Sequence, residues 1–153
     1  DVYKRQPNDS GNCMLDLDRF VKAQDPVLEE VLGELHAGRK QTHWMWFIFP
    51  QLRGLGRSST SQFYGIEDLA EARSYLEHAV LGPRLEACVE AVLAVSGRSL
   101  KEIFDTPDDM KFRSSMTLFA IADGDANLFH GALERYCRGR KDPATLRLLK
   151  LTN

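Results

Sequence analysis

The chain has 153 residues, 43% of them apolar and 27% charged, which is the usage of one globular domain and excludes wholesale disorder. A formal charge of −2 leaves no basic excess for non-specific nucleic-acid binding, so no nucleic-acid partner is expected. The longest apolar run, Trp44 to Pro50, is about a third of the ~20 residues that span a bilayer, so no membrane span is expected either.

Asp1 to Gln6 (DVYKRQ) reads as one translated frame of a transposase adaptor, and Pro7 to Cys13 (PNDSGNC) is polar and turn-rich. Residues 1–13 are therefore expected to be an adaptor-derived or disordered tail, with Met14 the natural start and residues 14–153 the globular domain. The first six residues carry a net +1, so without them the charge is −3. Leu17, Phe20 and Val21 predict a short helix that ends before Asp25, because a proline restricts the residue preceding it. Asp25-Pro26 reads as a cap followed by a first helical proline, and Leu28, Val31, Leu32 and Leu35 recur at helical spacing up to Gly38.

His43 to Pro50 (HWMWFIFP) is too short for periodicity to separate strand from helix. A lone strand would leave its ladder groups unpaired, so a buried helix capped by Thr42 and ended by Pro50 is expected. Further helices are predicted over Glu67 to His78, along a stripe of Leu81, Leu85, Cys88, Val89 and Val92, and from a Ser99–Glu102 capping box through Phe104. Thr106-Pro107 opens a segment in which Phe112, Met116 and Phe119 share a face. Asp125 is expected to cap the helix bearing Phe129, Ala132, Leu133 and Tyr136, and Asp142-Pro143 the last one. No sustained period-two alternation or hairpin turn occurs, so the expectation is a compact all-α single domain of about seven to nine mostly short helices.

Cys13, Cys88 and Cys137 are odd in number and widely spaced, with no C-x-x-C and no zinc-ligand spacing. A reduced, cytoplasmic setting follows, with no metal and no cofactor called for. Cys88, on an apolar helical face, reads as a small buried hydrophobe.

Three constellations could carry chemistry. The aromatic block fills a core most simply, yet a pure core does not explain one imidazole and two indole N–H groups within seven residues, since each needs a partner if buried. On helical geometry His43, Trp46 and Phe47 would share a side, as in a wall that stacks a flat ligand. Gly54 to Thr60 (GLGRSST) could bring backbone and the Arg57 and Ser58 side chains to an anion, although a turn followed by a Ser59–Gln62 capping box is the simpler account. It is not a dinucleotide fingerprint, because Ser59 occupies the third glycine position. Lys111, Ser114, Ser115 and Leu118 would line one side of a helix, either solvated or, beside the aromatic block, suited to a phosphate or carboxylate.

Residues 17 to 149 resemble a bacterial family known only as domain of unknown function 1810. The resemblance is carried by Arg19-Phe20-Val21-x-Ala23-Gln24-Asp25, Gly38-Arg39-Lys40, His43 to Gln51 and Gly54-Leu55-Gly56-Arg57-Ser58. It continues through Leu81-Gly82-Pro83-Arg84-Leu85 and Lys111 to Phe119. What it implies is a mainly helical single domain without an assigned activity. Some members carry the label calpastatin, an inhibitor whose disordered chain does not match this packed pattern. The stretch Phe20 to Gln24 is also similar to one in helical proteins acting on ADP-ribose derivatives.

Two functions are expected to compete. One is the binding or processing of a small anionic, partly flat ligand such as a nucleotide or ADP-ribose derivative. In it His43 and Lys111 are the candidate catalytic groups, and Trp44, Trp46, Gln51, Arg57, Ser58, Arg113, Ser114 and Ser115 the candidate binding groups. The other is a protein-interaction module with Trp44, Trp46 and Arg57 anchoring a partner in an aromatic groove.

Overall fold

Ten helices account for the regular structure of residues 16–124 and 127–150, the residues that the computed structural model describes. They are α1 (Asp18–Gln24), α2 (Leu28–His36), α3 (Met45–Ile48), α4 (Ser59–Tyr64), α5 (Leu69–Glu77), α6 (Leu81–Leu93), α7 (Leu100–Phe104), α8 (Asp108–Asp123), α9 (Leu128–Cys137) and α10 (Pro143–Leu148). The all-α expectation holds, with one helix more than the range foreseen. The extra element is α4, a short helix inside the glycine-rich stretch. Among the described residues the nearest thing to a sheet is an isolated parallel bridge between Leu52 and Ile66.

Helix α8 is the axis of the domain. Phe112, Met116 and Phe119 are buried as their spacing predicts, but Ser114, Ser115, Thr117 and Leu118 are buried as well. The reason is that α5, α7, α9 and α10 all pack against this one helix, so it has no broad solvated face. Helices α2, α5 and α9 pack on α6, where Cys88 is sealed in the core and burial pushes its thiol up to about 12. Gly82 permits the closest approach: a Cβ there would lie 2.2 Å from the Leu76 carbonyl oxygen.

Several caps are as read from the sequence. Ser99 and Glu102 form the reciprocal capping box of α7. Asp142 accepts from the Thr145 N–H with Pro143 opening α10, and Gly38 takes φ +79° after α2. Others are corrected. Asp25 still has helical dihedrals at the end of α1, and its carboxylate pairs with Arg84 at 2.8 Å, so α2 starts after Val27 without a side-chain cap. Likewise Pro107, not Thr106, precedes α8. Ser58 rather than Ser59 caps α4, accepting from the Ser61 N–H. Asn127 caps α9; the Asp125 expectation lies outside the described residues, as do those for residues 1–13 and Met14.

Candidate functional site

The aromatic block is a single turn of helix, Met45–Ile48, rather than a helix from His43 to Pro50. Its start is organised from a distance. The Glu34 carboxylate on α2 accepts hydrogen bonds from the Gln41 and Thr42 N–H groups, the Thr42 hydroxyl (2.6 Å) and the Trp44 indole N–H (2.9 Å). Thr42 therefore serves Glu34 and does not cap α3. Burial pushes the Glu34 carboxyl up, but these four donors outweigh it and hold the group below its ordinary value.

Trp44 is 1% exposed and packs edge-on to Phe104 and tilted to Phe49. Met45, Ile48 and Phe49 are buried with it. Trp46 is different. It is half-buried, and among the described residues it touches no other aromatic ring and its indole N–H has no partner. Its one ring contact is the Lys111 ammonium, 4.6 Å from the ring centroid. Asp108 ties the two tryptophan environments together. One carboxylate oxygen pairs with Lys40 at 3.0 Å, whose ammonium lies 5.1 Å from the Trp44 ring, and the other sits 3.5 Å from Lys111.

Beside Trp46 opens a cleft of about 450 Å³, within the ~300–1,000 Å³ usual for small-molecule sites. Trp46, Gln51, the turn Leu55–Ser58 and Ser61 line one side. Pro107, Met110, Lys111 and Ser114 from the start of α8, with Asp142 and Ala144, line the other. A void of about 10 Å³, room for one water, adjoins it between Trp46, Gln51, Ser61 and Lys111. The glycines of the turn are needed by the protein itself. A Cβ at Gly56 would meet the Ser61 Cβ at 2.5 Å, and one at Gly54 the Leu148 side chain at 3.1 Å.

Six of the ten candidate residues thus face one hollow: Trp46, Gln51, Arg57, Ser58, Lys111 and Ser114. Four do not. His43 precedes α3, so helical periodicity never applied to it, and its exposed imidazole lies outside the lining. Trp44 is in the core on Glu34. Arg113 directs its guanidinium to the Arg140 and Lys141 carbonyls, at 3.0 and 2.8 Å, and so holds the loop before α10. Ser115 is fully buried, and its hydroxyl has no hydrogen-bond partner among the described residues. Phe20 and Gln24 are likewise interior: the Gln24 amide donates to the Phe47 carbonyl at 2.7 Å and to the Tyr75 hydroxyl at 3.0 Å.

The lining residues that sequence reasoning missed are mainly Leu55, Ser61, Met110 and Asp142. Asp142 carried a signal as a helix cap, and that role occupies one of its oxygens: Oδ2 accepts from the Thr145 N–H, the Thr145 hydroxyl and the Ser114 hydroxyl. Among the described residues there is no group of three or more His, Cys, Asp or Glu side chains placed to hold a metal, and no helix long and apolar enough to cross a membrane.

Fold and cleft together define an all-α single-domain protein with a hollow walled by one half-buried indole and two cationic side chains. The chain belongs to the family described as protein of unknown function (DUF1810), whose model matches residues 14–149. It is similar to the conserved hypothetical protein Rv1873 from Mycobacterium tuberculosis, whose crystal structure matches with a TM-score of 0.87 at 54% identity. The match covers 90% of this chain and 98% of that one. No curated protein matches the chain.

Proposed function

We propose that the cleft binds a small anionic, partly flat molecule such as a nucleotide or an ADP-ribose derivative. The observation that supports this reading is convergence: Trp46, Gln51 and Arg57 from one stretch of chain and Lys111 from the start of α8 line one hollow, with Lys111 held only by a 3.5 Å ion pair to Asp108 and the Trp46 ring. An indole with no ring neighbour offers a stacking surface, and two cations offer charge. The reading is of binding, because the imidazole considered as a general acid or base lies outside the lining. A protein-interaction groove gains less support, since Trp44, one of its anchors, is 1% exposed. The free thiols Cys88 and Cys137 fit a reducing, cytoplasmic setting, and residues 14–153 remain our proposal for the folded unit.

The test is a thermal-shift screen of the purified protein against nucleotides and sugar phosphates. A ligand that binds only the native state at a hundred times its Kd adds ~2.7 kcal/mol, which moves the melting midpoint by several degrees. The shift is expected for the wild type and lost in Trp46→Ala. A panel without any shift at millimolar concentration removes the proposal.

A further inference from the structure

The free hydrogen-bonding groups of the cleft are unequal in kind, and the inequality narrows the ligand class that the proposed binding function leaves open. Consider the donors first. Lys111 carries three N–H groups, is only 24% exposed, and makes no hydrogen bond among the described residues; its ion-pair partner Asp108 lies 3.5 Å away. That distance exceeds the ~2.7–2.9 Å of a charge-assisted hydrogen bond, and Asp108 is engaged more closely, at 3.0 Å, by Lys40. The exposed Arg57 guanidinium adds five N–H groups with no partner among the described residues, and the Trp46 indole adds one. Acceptors are scarce. The one lining carboxylate, Asp142, takes three donors on Oδ2 and keeps Oδ1 as the cleft's remaining anionic acceptor. The Gln51 carboxamide alone is free to give and accept.

A donor-rich, doubly cationic hollow complements a group that accepts only and carries more than one negative charge. We infer that the cleft recognises a phosphomonoester of a compound with a flat ring, the phosphoryl oxygens taken by Lys111 and Arg57 and the ring laid on Trp46. A carboxylate brings one charge and two oxygens. A phosphomonoester brings about −1.5 to −2 near pH 7 and three acceptor oxygens, which suits two cations better, one of them (Arg57) without a carboxylate partner among the described residues and the other (Lys111) sharing Asp108 with Lys40. Lys111 rests on the indole and near Asp108 only loosely, so it can turn to a phosphoryl oxygen without breaking a hydrogen bond.

The experiment titrates the protein with adenosine 5′-monophosphate, adenosine, and inorganic phosphate, and with the cytidine pair, following tryptophan fluorescence. The chain has two tryptophans and Trp44 is sealed in the core, so a change in emission on adding ligand reports Trp46, and Trp46→Phe should abolish that change. The monophosphates are expected to bind about tenfold or more tightly than either the nucleoside or phosphate alone. Lys111→Gln and Arg57→Gln should each weaken the monophosphates by about tenfold and the nucleosides less than twofold. Arg57 is exposed, so that variant tests the inference even where Lys111→Gln melts early. Equal affinity for nucleoside and monophosphate, or for monophosphate and free phosphate, overturns this inference and leaves the binding function standing. Absence of binding by all five probes overturns both.

Discussion

Trp44 and Trp46 stand two residues apart in the same aromatic block and live in opposite worlds. Trp44 precedes the α3 turn with a non-helical backbone (φ −138°, ψ 6°) and is buried in the core, whereas Trp46 lies inside the turn and lines the cleft. The inward one meets everything a buried indole needs: a carboxylate for its N–H, rings at its edges, a cation over its face. The outward one has the cation alone. A lysine from a different element covers each ring, and Asp108 anchors both lysines, yet the bridge to Lys40 is the shorter and drier. The contrast teaches that residue type is a weak guide to role; the same side chain is scaffold where its polar atom is met and candidate recognition surface where it is not.

Truncation breaks or upholds this contrast most directly. Trp44→Ala should lower the unfolding free energy by ~3–5 kcal/mol in urea titrations, through lost burial and an empty space among Phe49 and Phe104. Trp46→Ala should cost ~1 kcal/mol or less. Similar losses at the two positions would erase the distinction.

Glu34→Gln comes next. The amide keeps one acceptor oxygen where four donors now converge, so a loss of ~1–2 kcal/mol is expected at neutral pH. The sign of its pH dependence follows from a folded-state carboxyl held below the ordinary value of 4.5. That contribution is complete above 4.5 and fades as pH falls through the lower folded value. The gap between wild type and Glu34→Gln should accordingly narrow in acid, and a gap constant from pH 7 to pH 3 would contradict the network.

Smallest is Lys111→Gln. Its ion pair is long and Asp108 keeps the closer Lys40 as partner, so unfolding free energy should change by ~0.5 kcal/mol or less. A larger loss would make Lys111 part of the scaffold, like Lys40, and blur the line between the two tryptophans.

Much of the helical order was legible before any coordinates, and particular residues show why. The Ser99–Glu102 box, the Asp142-Pro143 start and the Gly38 stop are satisfied within a few residues of themselves. Asp25-Pro26 misled because the Asp25 carboxylate goes to Arg84, 59 residues away. The run Ser58-Ser59-Thr60-Ser61 offers several competent cap residues in a row, and it is the extended backbone of Ser58 (φ −70°, ψ 159°) that makes it the cap. For the cleft, residue types such as Trp46, Arg57 and Lys111 drew notice, whereas His43 was joined to them by a periodicity that begins two residues later.

The amino-acid sequence by itself determined the all-α class, the family and most helix boundaries, since apolar spacing and capping chemistry act over three or four residues. Only the tertiary structure decided which indole turns outward, that one oxygen of Asp142 is occupied by Ser114 and Thr145, and that segments near 46–58, 107–114 and 142–144 enclose one hollow. Those outcomes depend on how α8 is surrounded, a matter of contacts between residues distant along the chain that no local spacing encodes.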